Sequence, residues 1–290
     1  MSIIVSINDY RKCIHQIPAK GKWQAWLDHY YSKYRDMFDV IFKFLYMADV
    51  QVMKGPVEAC NFEQTLGMFE KFLAQDGVRK AGEILALSED FLAYRSEFQS
   101  DYDVFVMAGV GQIGGTAPPS LNPFIYLGAE VIEADAGKLN SLVSHEFHHL
   151  ARNQMRGLEV LVPATYTFAE LILTEGLATA FSIVVQGLDF DTSTLKTALY
   201  MTEEALSYCI ANRDAIIQEI LSFGESPVTQ ELMIKYLYSG PAVDSQGRPG
   251  NAGYYAGTAI VSDLLDQGYD MRRLTKMSGQ DIIQLWKSCS

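Results

Sequence analysis

Histidine is scarce in this chain, five in 290 residues, and three of the five stand within one stretch of five. Cysteine is scarcer still. Cys13, Cys60, Cys209 and Cys289 are widely scattered and none forms C-x-x-C, so neither a disulfide framework nor a cysteine metal site is indicated. Lysine and arginine total 23 against 35 acidic residues, a formal net charge of −12. No basic cluster is long enough to track a phosphate backbone, which disfavours nucleic acid as a partner. The first ten residues lack a basic region followed by an apolar one, so a cytoplasmic location is the expectation. Long uncharged apolar runs are also missing. The nearest approach, residues 171–188, carries Glu175 near its start and has no aromatic or basic flanks. It reads as a buried globular helix and not as a membrane span. There is no internal repeat and no low-complexity segment. Hydrophobic residues make up 49% of the chain, ample for the core of one large domain or two modest ones.

The histidine-rich stretch reads His145-Glu146-Phe147-His148-His149, an H-E-x-x-H pattern. On a helix, positions i and i+4 lie roughly 40° apart on one face, which lets two imidazoles reach a single Zn²⁺ at about 2.0–2.1 Å. Glu146 projects roughly 100° from His145, beside such a metal, where it can take a proton from water. The phase of residues 139–155 agrees. Leu139, Val143, Phe147 and Leu150 gather on the far side, and His149, Arg152 and Glu146 lie near His145. His148 falls out of line with the pair and is expected to be a partly exposed histidine. Arg152 either pairs with a carboxylate, of a substrate or near Glu175, or is a solvated last-turn arginine complementing the helix dipole.

A catalytic zinc takes three protein ligands and leaves a fourth position for water. His15 and His29 are remote and carry no ligand spacing, so a carboxylate has to be considered for the third. Glu170 and Glu175 are five residues apart, about 140° on one helix, and cannot both face the metal. Glu175 is the choice. It shares a stripe with Leu171, Ala178, Thr179 and Ser182, small enough for close approach to the histidine helix, and an apolar setting demands a partner for its charge. Glu170 is expected nearer solvent.

H-E-x-x-H followed by a helix bearing Glu175-Gly176-Leu177-Ala178 resembles the gluzincin metallopeptidases. More narrowly, with Gly253-Tyr254-Tyr255-Ala256-Gly257 and the aromatic helical region around residues 23–46, the chain resembles the YjaZ-like predicted zinc-dependent proteases. The resemblance covers most of the chain but is specific only in these short motifs. It implies His145, His149 and Glu175 as ligands, Glu146 as general base, and a hydroxyl from Gly-Tyr-Tyr for the transition state. The helical wheel leaves the two tyrosines undecided. The resemblance selects Tyr254, with Tyr255 in reserve.

The remainder reads as mainly α with a small β-sheet, a zincin-like metallopeptidase fold. Residues 1–100 form an N-terminal helical region and 101–290 a catalytic region, in one compact unit. Strands are expected over residues 101–108 and 124–127. Helix then follows helix, with breaks near Pro163, Gly187, Pro227 and residues 239–250, and Asn251 caps a last helix. Gly109-x-Gly111-x-x-Gly114 follows a strand, but Pro118 and Pro119 forbid the helix on which a dinucleotide would sit, so the nucleotide reading is rejected. Either one of the two short strands is an open edge beside the metal, where a substrate peptide adds a strand, or the segment is an ordinary loop joining them. The function expected is zinc-dependent hydrolysis of peptide or protein substrates. The alternatives are a non-catalytic zinc-binding scaffold and a zinc hydrolase of non-peptide amides.

Overall fold

The structure, a computed structural model, describes the chain apart from residues 99–100, 110–112, 133–135, 159–165, 239, 241–248 and 290. It is mainly helical with one small sheet. Contacts divide it into two units: residues 1–86 with 95–150, and residues 87–94 with 151–290. The division falls inside the helix Ala136–Met155.

The first unit is built on four strands: β1 (Ser2–Val5), β2 (Asp103–Met107), β3 (Gly115–Thr116) and β4 (Phe124–Gly128). Their order is β1-β2-β4-β3. The first three in that order run parallel, and β3 lies antiparallel on β4, with Gly115 opposite Leu127 and Thr116 opposite Tyr126. Parallel strands bury both faces, which is why β4 reads Phe-Ile-Tyr-Leu-Gly without alternation and is buried at every position. β2 and β4 match the expected strands. β1 and β3 are additions to the sequence reading. Four residues running straight into a helix, and two glycine-proximal residues in a loop, carry no readable period; pairing makes them strands.

Helices Ile7–Lys20, Lys22–His29 and Arg35–Tyr46 cover this sheet with aromatic side chains. Trp26 packs on Phe38, and Phe38 on Phe42 and on Tyr126 of β4. The layer is tied down by Tyr30, whose hydroxyl shares a hydrogen bond with Ser6 Oγ at 2.6 Å and accepts the Ala108 N–H at 2.8 Å. One phenol thus joins the ends of β1 and β2.

The second unit is helical around Phe168–Val184, a largely apolar helix buried at nearly every position and therefore central. Its first-turn donors are satisfied by the Thr167 hydroxyl, which accepts the Glu170 N–H at 3.2 Å, and by the carbonyls of Ser226 and Gly224. Gly187, at φ +67°, follows its end. Its tightest partner is the helix Ala252–Asp266. A methyl on Gly176 would overlap the Gly257 backbone, and one on Gly253 would stand 2.7 Å from Ile172 Cδ1 and 2.8 Å from the Tyr236 carbonyl oxygen. Close approach therefore runs through Gly176, Gly253 and Gly257. Ala178, Thr179 and Ser182, the small residues singled out in the sequence, are buried on the same helix. Asn251 does stand at the N-terminus of Ala252–Asp266, but its amide donates to the Leu199 carbonyl and caps nothing. That helix is not the last; Met271–Lys276 and Gly279–Cys289 follow. No helix among the described residues is long and apolar enough to cross a membrane.

Gly176→Ala should lower the unfolding free energy by about 3 kcal/mol, since the added methyl has only backbone to displace. Gly67 lies on the exposed side of the helix Phe62–Ala74, where an added methyl would meet nothing within 4 Å, and Gly67→Ala should be neutral or stabilising by about 1 kcal/mol. Urea unfolding of both variants measures the difference.

Candidate metal centre

The helix Ala136–Met155 divides its faces as its sequence predicts. Leu139, Val143 and Phe147 are fully buried, and Phe147 packs on the Tyr102 ring. His145 and His149 are half-buried on the other side. Their Nε2 atoms face each other at 3.0 Å with the rings nearly perpendicular. Two nitrogens at that separation, each about 2.05 Å from a shared point, subtend roughly 95° there, within reach of tetrahedral coordination. His148 departs from expectation. It is fully buried, because the wheel position between the ligand stripe and the apolar face is itself covered.

Glu146 is 6% exposed and lies under β3. A methyl on Gly115 would stand 3.0 Å from Glu146 Cγ and 3.1 Å from its Oε1, with Leu142 Cδ1 at 3.2 Å. Only glycine lets the strand cross the carboxylate this closely. β3 is one edge of the sheet. The two strands expected from the sequence, β2 and β4, are both interior, so the expectation that one of them is an open edge is corrected, because β1 and β3, unread in the sequence, pair on their outer sides.

On Phe168–Val184, every residue from Phe168 to Ile183 is buried except Glu175. Glu175 is half-buried and is the one residue of that span open to solvent. One donor atom each from His145, His149 and Glu175 lies within 4.8 Å of the others. The donor set, two imidazoles and a carboxylate, suits zinc.

Glu170 reverses its expectation. It is buried, and it accepts from Arg152 Nη2 at 2.7 Å, from the Gly279 N–H at 2.6 Å, and from Arg156. Arg152, 1% exposed, is no solvated arginine. Its Nη1 donates to the Thr275 carbonyl at 2.7 Å and its Nε to Thr174 Oγ1 at 3.3 Å. A buried carboxylate needs such partners, and two arginines following the histidines at helical spacing were the available signal. Burial presses the Arg152 guanidinium below its ordinary value, opposed by the charge of Glu170. Burial would likewise raise the Glu170 carboxyl, but Arg152, the Gly279 N–H and Arg156 outweigh it and hold that group below its ordinary 4.5.

The two tyrosines separate cleanly. Tyr255 is buried, outside the apolar stripe yet enclosed, and its phenol is pushed up by burial, with Arg213 the main opposing charge. Tyr254 is half-buried, and its carbonyl accepts from Thr258 Oγ1 at 2.8 Å. Tyr166, which the sequence reading does not single out, hydrogen-bonds Thr174. Burial above all, and the charges of Glu170 and Glu175, push its phenol up. Between β2 and β3 no helix lies among the described residues, and Gly111 of the glycine stretch is outside them. So does Pro163.

A family model described as predicted Zn-dependent protease (DUF2268) matches residues 111–284, more than half of the 290. The match includes the histidine stretch, Glu175 and Tyr254. No curated protein matches, and no solved structure does.

A carboxyl held below its unfolded value stabilises the fold above about pH 4.5, and that contribution fades as pH falls through the lower folded value. Unfolding free energy should therefore drop below pH 4.5, and Glu170→Gln should flatten part of that slope. At pH 7 the variant should be less stable by about 3 kcal/mol, because Arg152 is left buried without a counter-charge. Urea titrations at pH 7 and pH 4 on both proteins give the comparison.

Proposed function

We propose that this chain, which belongs to the family of predicted Zn-dependent proteases matched by residues 111–284, is a zinc peptidase whose metal is held by His145, His149 and Glu175. The observation that carries the reading is the facing of His145 and His149 Nε2 at 3.0 Å with Glu175 within ligand range. Zinc in such a site supplies Lewis acidity, polarising a carbonyl and bringing the pKa of water to about 7. The chain's own residues supply the rest. Glu146 takes the proton of the attacking water and passes it to the leaving amine as the bond breaks. Its place beneath β3 supports that role, since a strand edge bonded to a substrate backbone holds a scissile bond over the carboxylate, and Gly115 keeps the gap open. Tyr254 is the proposed donor to the oxyanion. The enclosure of Tyr255 against a different set of charged groups supports choosing the first tyrosine over the second.

The purified protein should carry one zinc per chain by elemental analysis. His149→Ala should lose most of it and His29→Ala should not. Near-stoichiometric zinc in His149→Ala sinks the ligand assignment.

Glu146→Gln removes the base and keeps the ligands. Zinc content should hold while cleavage of a diverse peptide library, read by mass spectrometry, slows by about 10²–10⁴-fold. Cleavage at the unaltered rate would show that Glu146 is not the base. A zinc-loaded unaltered chain that cleaves nothing would favour a scaffold.

A further inference from the structure

Arg152 sits three residues beyond His149 on the same helix, about 60° around it. Its side chain ends at Glu170 and Thr174 on the next helix, and Thr174 immediately precedes Glu175. One guanidinium therefore links two proposed ligand-bearing helices at the residues next to the ligands. All three of its nitrogens are engaged: Nη2 with Glu170 Oε1 at 2.7 Å, Nη1 with the Thr275 carbonyl at 2.7 Å, and Nε with Thr174 Oγ1 at 3.3 Å. Thr174 in turn donates to Glu170 Oε1 at 3.4 Å, which closes the loop.

A planar fork can hold three partners in fixed directions, whereas a lysine offers one nitrogen on a flexible stem. As a source of stability the arrangement is a poor one, since well-packed apolar residues of the same volume often serve as well as a buried ion pair. What charges in fixed geometry do supply is register. A one-residue slip or a rotation of either helix would leave a guanidinium or a carboxylate buried without its partner.

Resting on the zinc reading above, we infer that Arg152 is a positioning residue of the metal site. Its hydrogen bonds to Glu170 and Thr174 fix the helix carrying His149 against the helix carrying Glu175, so the donor atoms stand together before metal arrives. The set is complete without any ion, as a preorganised site requires.

The test measures zinc affinity of the full chain by chelator competition, and the visible spectrum of the cobalt-substituted protein, which reports coordination geometry. The variants are Arg152→Lys, Thr174→Val and the double replacement Arg152→Met with Glu170→Met. Asp9→Asn removes the buried carboxylate that pairs with the exposed Lys33 and accepts from Tyr34, far from the ligands in sequence, and is the control for lost stability alone. Thr174→Val and the double variant should stay folded by circular dichroism yet bind zinc about 10- to 100-fold more weakly, with an altered cobalt spectrum. Asp9→Asn should unfold more easily and bind zinc normally. If Arg152→Lys fails to fold, Thr174→Val decides, because it removes a single hydroxyl.

Folded Thr174→Val and double variants that bind zinc as tightly as the unaltered chain, with the same cobalt spectrum, overturn the positioning role alone. An unaltered chain that binds no zinc, or a His149→Ala chain that binds it fully, overturns the metal reading and this inference with it.

Discussion

The second unit depends on two helices touching backbone to backbone. Phe168–Val184 and Ala252–Asp266 cross where Gly176 meets Gly257, with Gly253 one turn earlier against Ile172. Any Cβ at Gly176 or Gly257 would drive the helices apart. Glu175 stands immediately before one glycine of the crossing and Tyr254 immediately after another. The Glu-Gly and Gly-Tyr-x-x-Gly motifs are therefore packing devices in their own right. The glycines set the distance between helices, and each polar neighbour takes its place from that distance.

Charge acts at the same helix from the other end. Glu170 gathers Arg152, Arg156, the Thr174 hydroxyl and the Gly279 N–H, so the first turn of Phe168–Val184 is tied to Met271–Lys276 and the start of Gly279–Cys289. Two glutamates on one helix thus sit in opposite surroundings. Glu170 is saturated by cations and donors and is occupied with structure. Glu175 is the accessible one on a helix otherwise enclosed. The turn of about 140° between them points them into different surroundings, and the tertiary structure decides which is enclosed.

The sheet contributes through its shortest strand. β3 has two residues, yet it lays Gly115 across Glu146 and forms the sheet's edge. Glycine there leaves room for the carboxylate beneath. A larger residue would require Glu146 and Leu142 to give way.

Backbone periodicity alone determined the histidine helix. The apolar residues Leu139, Val143 and Phe147 are buried where a 3.6-residue repeat puts them, and His145 and His149 meet on the opposite face, because both facts follow from one local geometry. Strands β2 and β4 were legible for a similar reason, as compact apolar runs bounded by turns. Tertiary contacts decided the rest. β1 is a strand because β2, a hundred residues away, offers it a partner, and β3 because β4 does. Glu170 is buried because two arginines and a distant amide surround it, and His148 and Tyr255 because neighbouring elements cover positions that the helical wheel leaves at its margin. Periodicity reports which residues share a face; it carries no information about what comes to lie against that face, and burial, charge pairing and strand pairing all depend on that second fact.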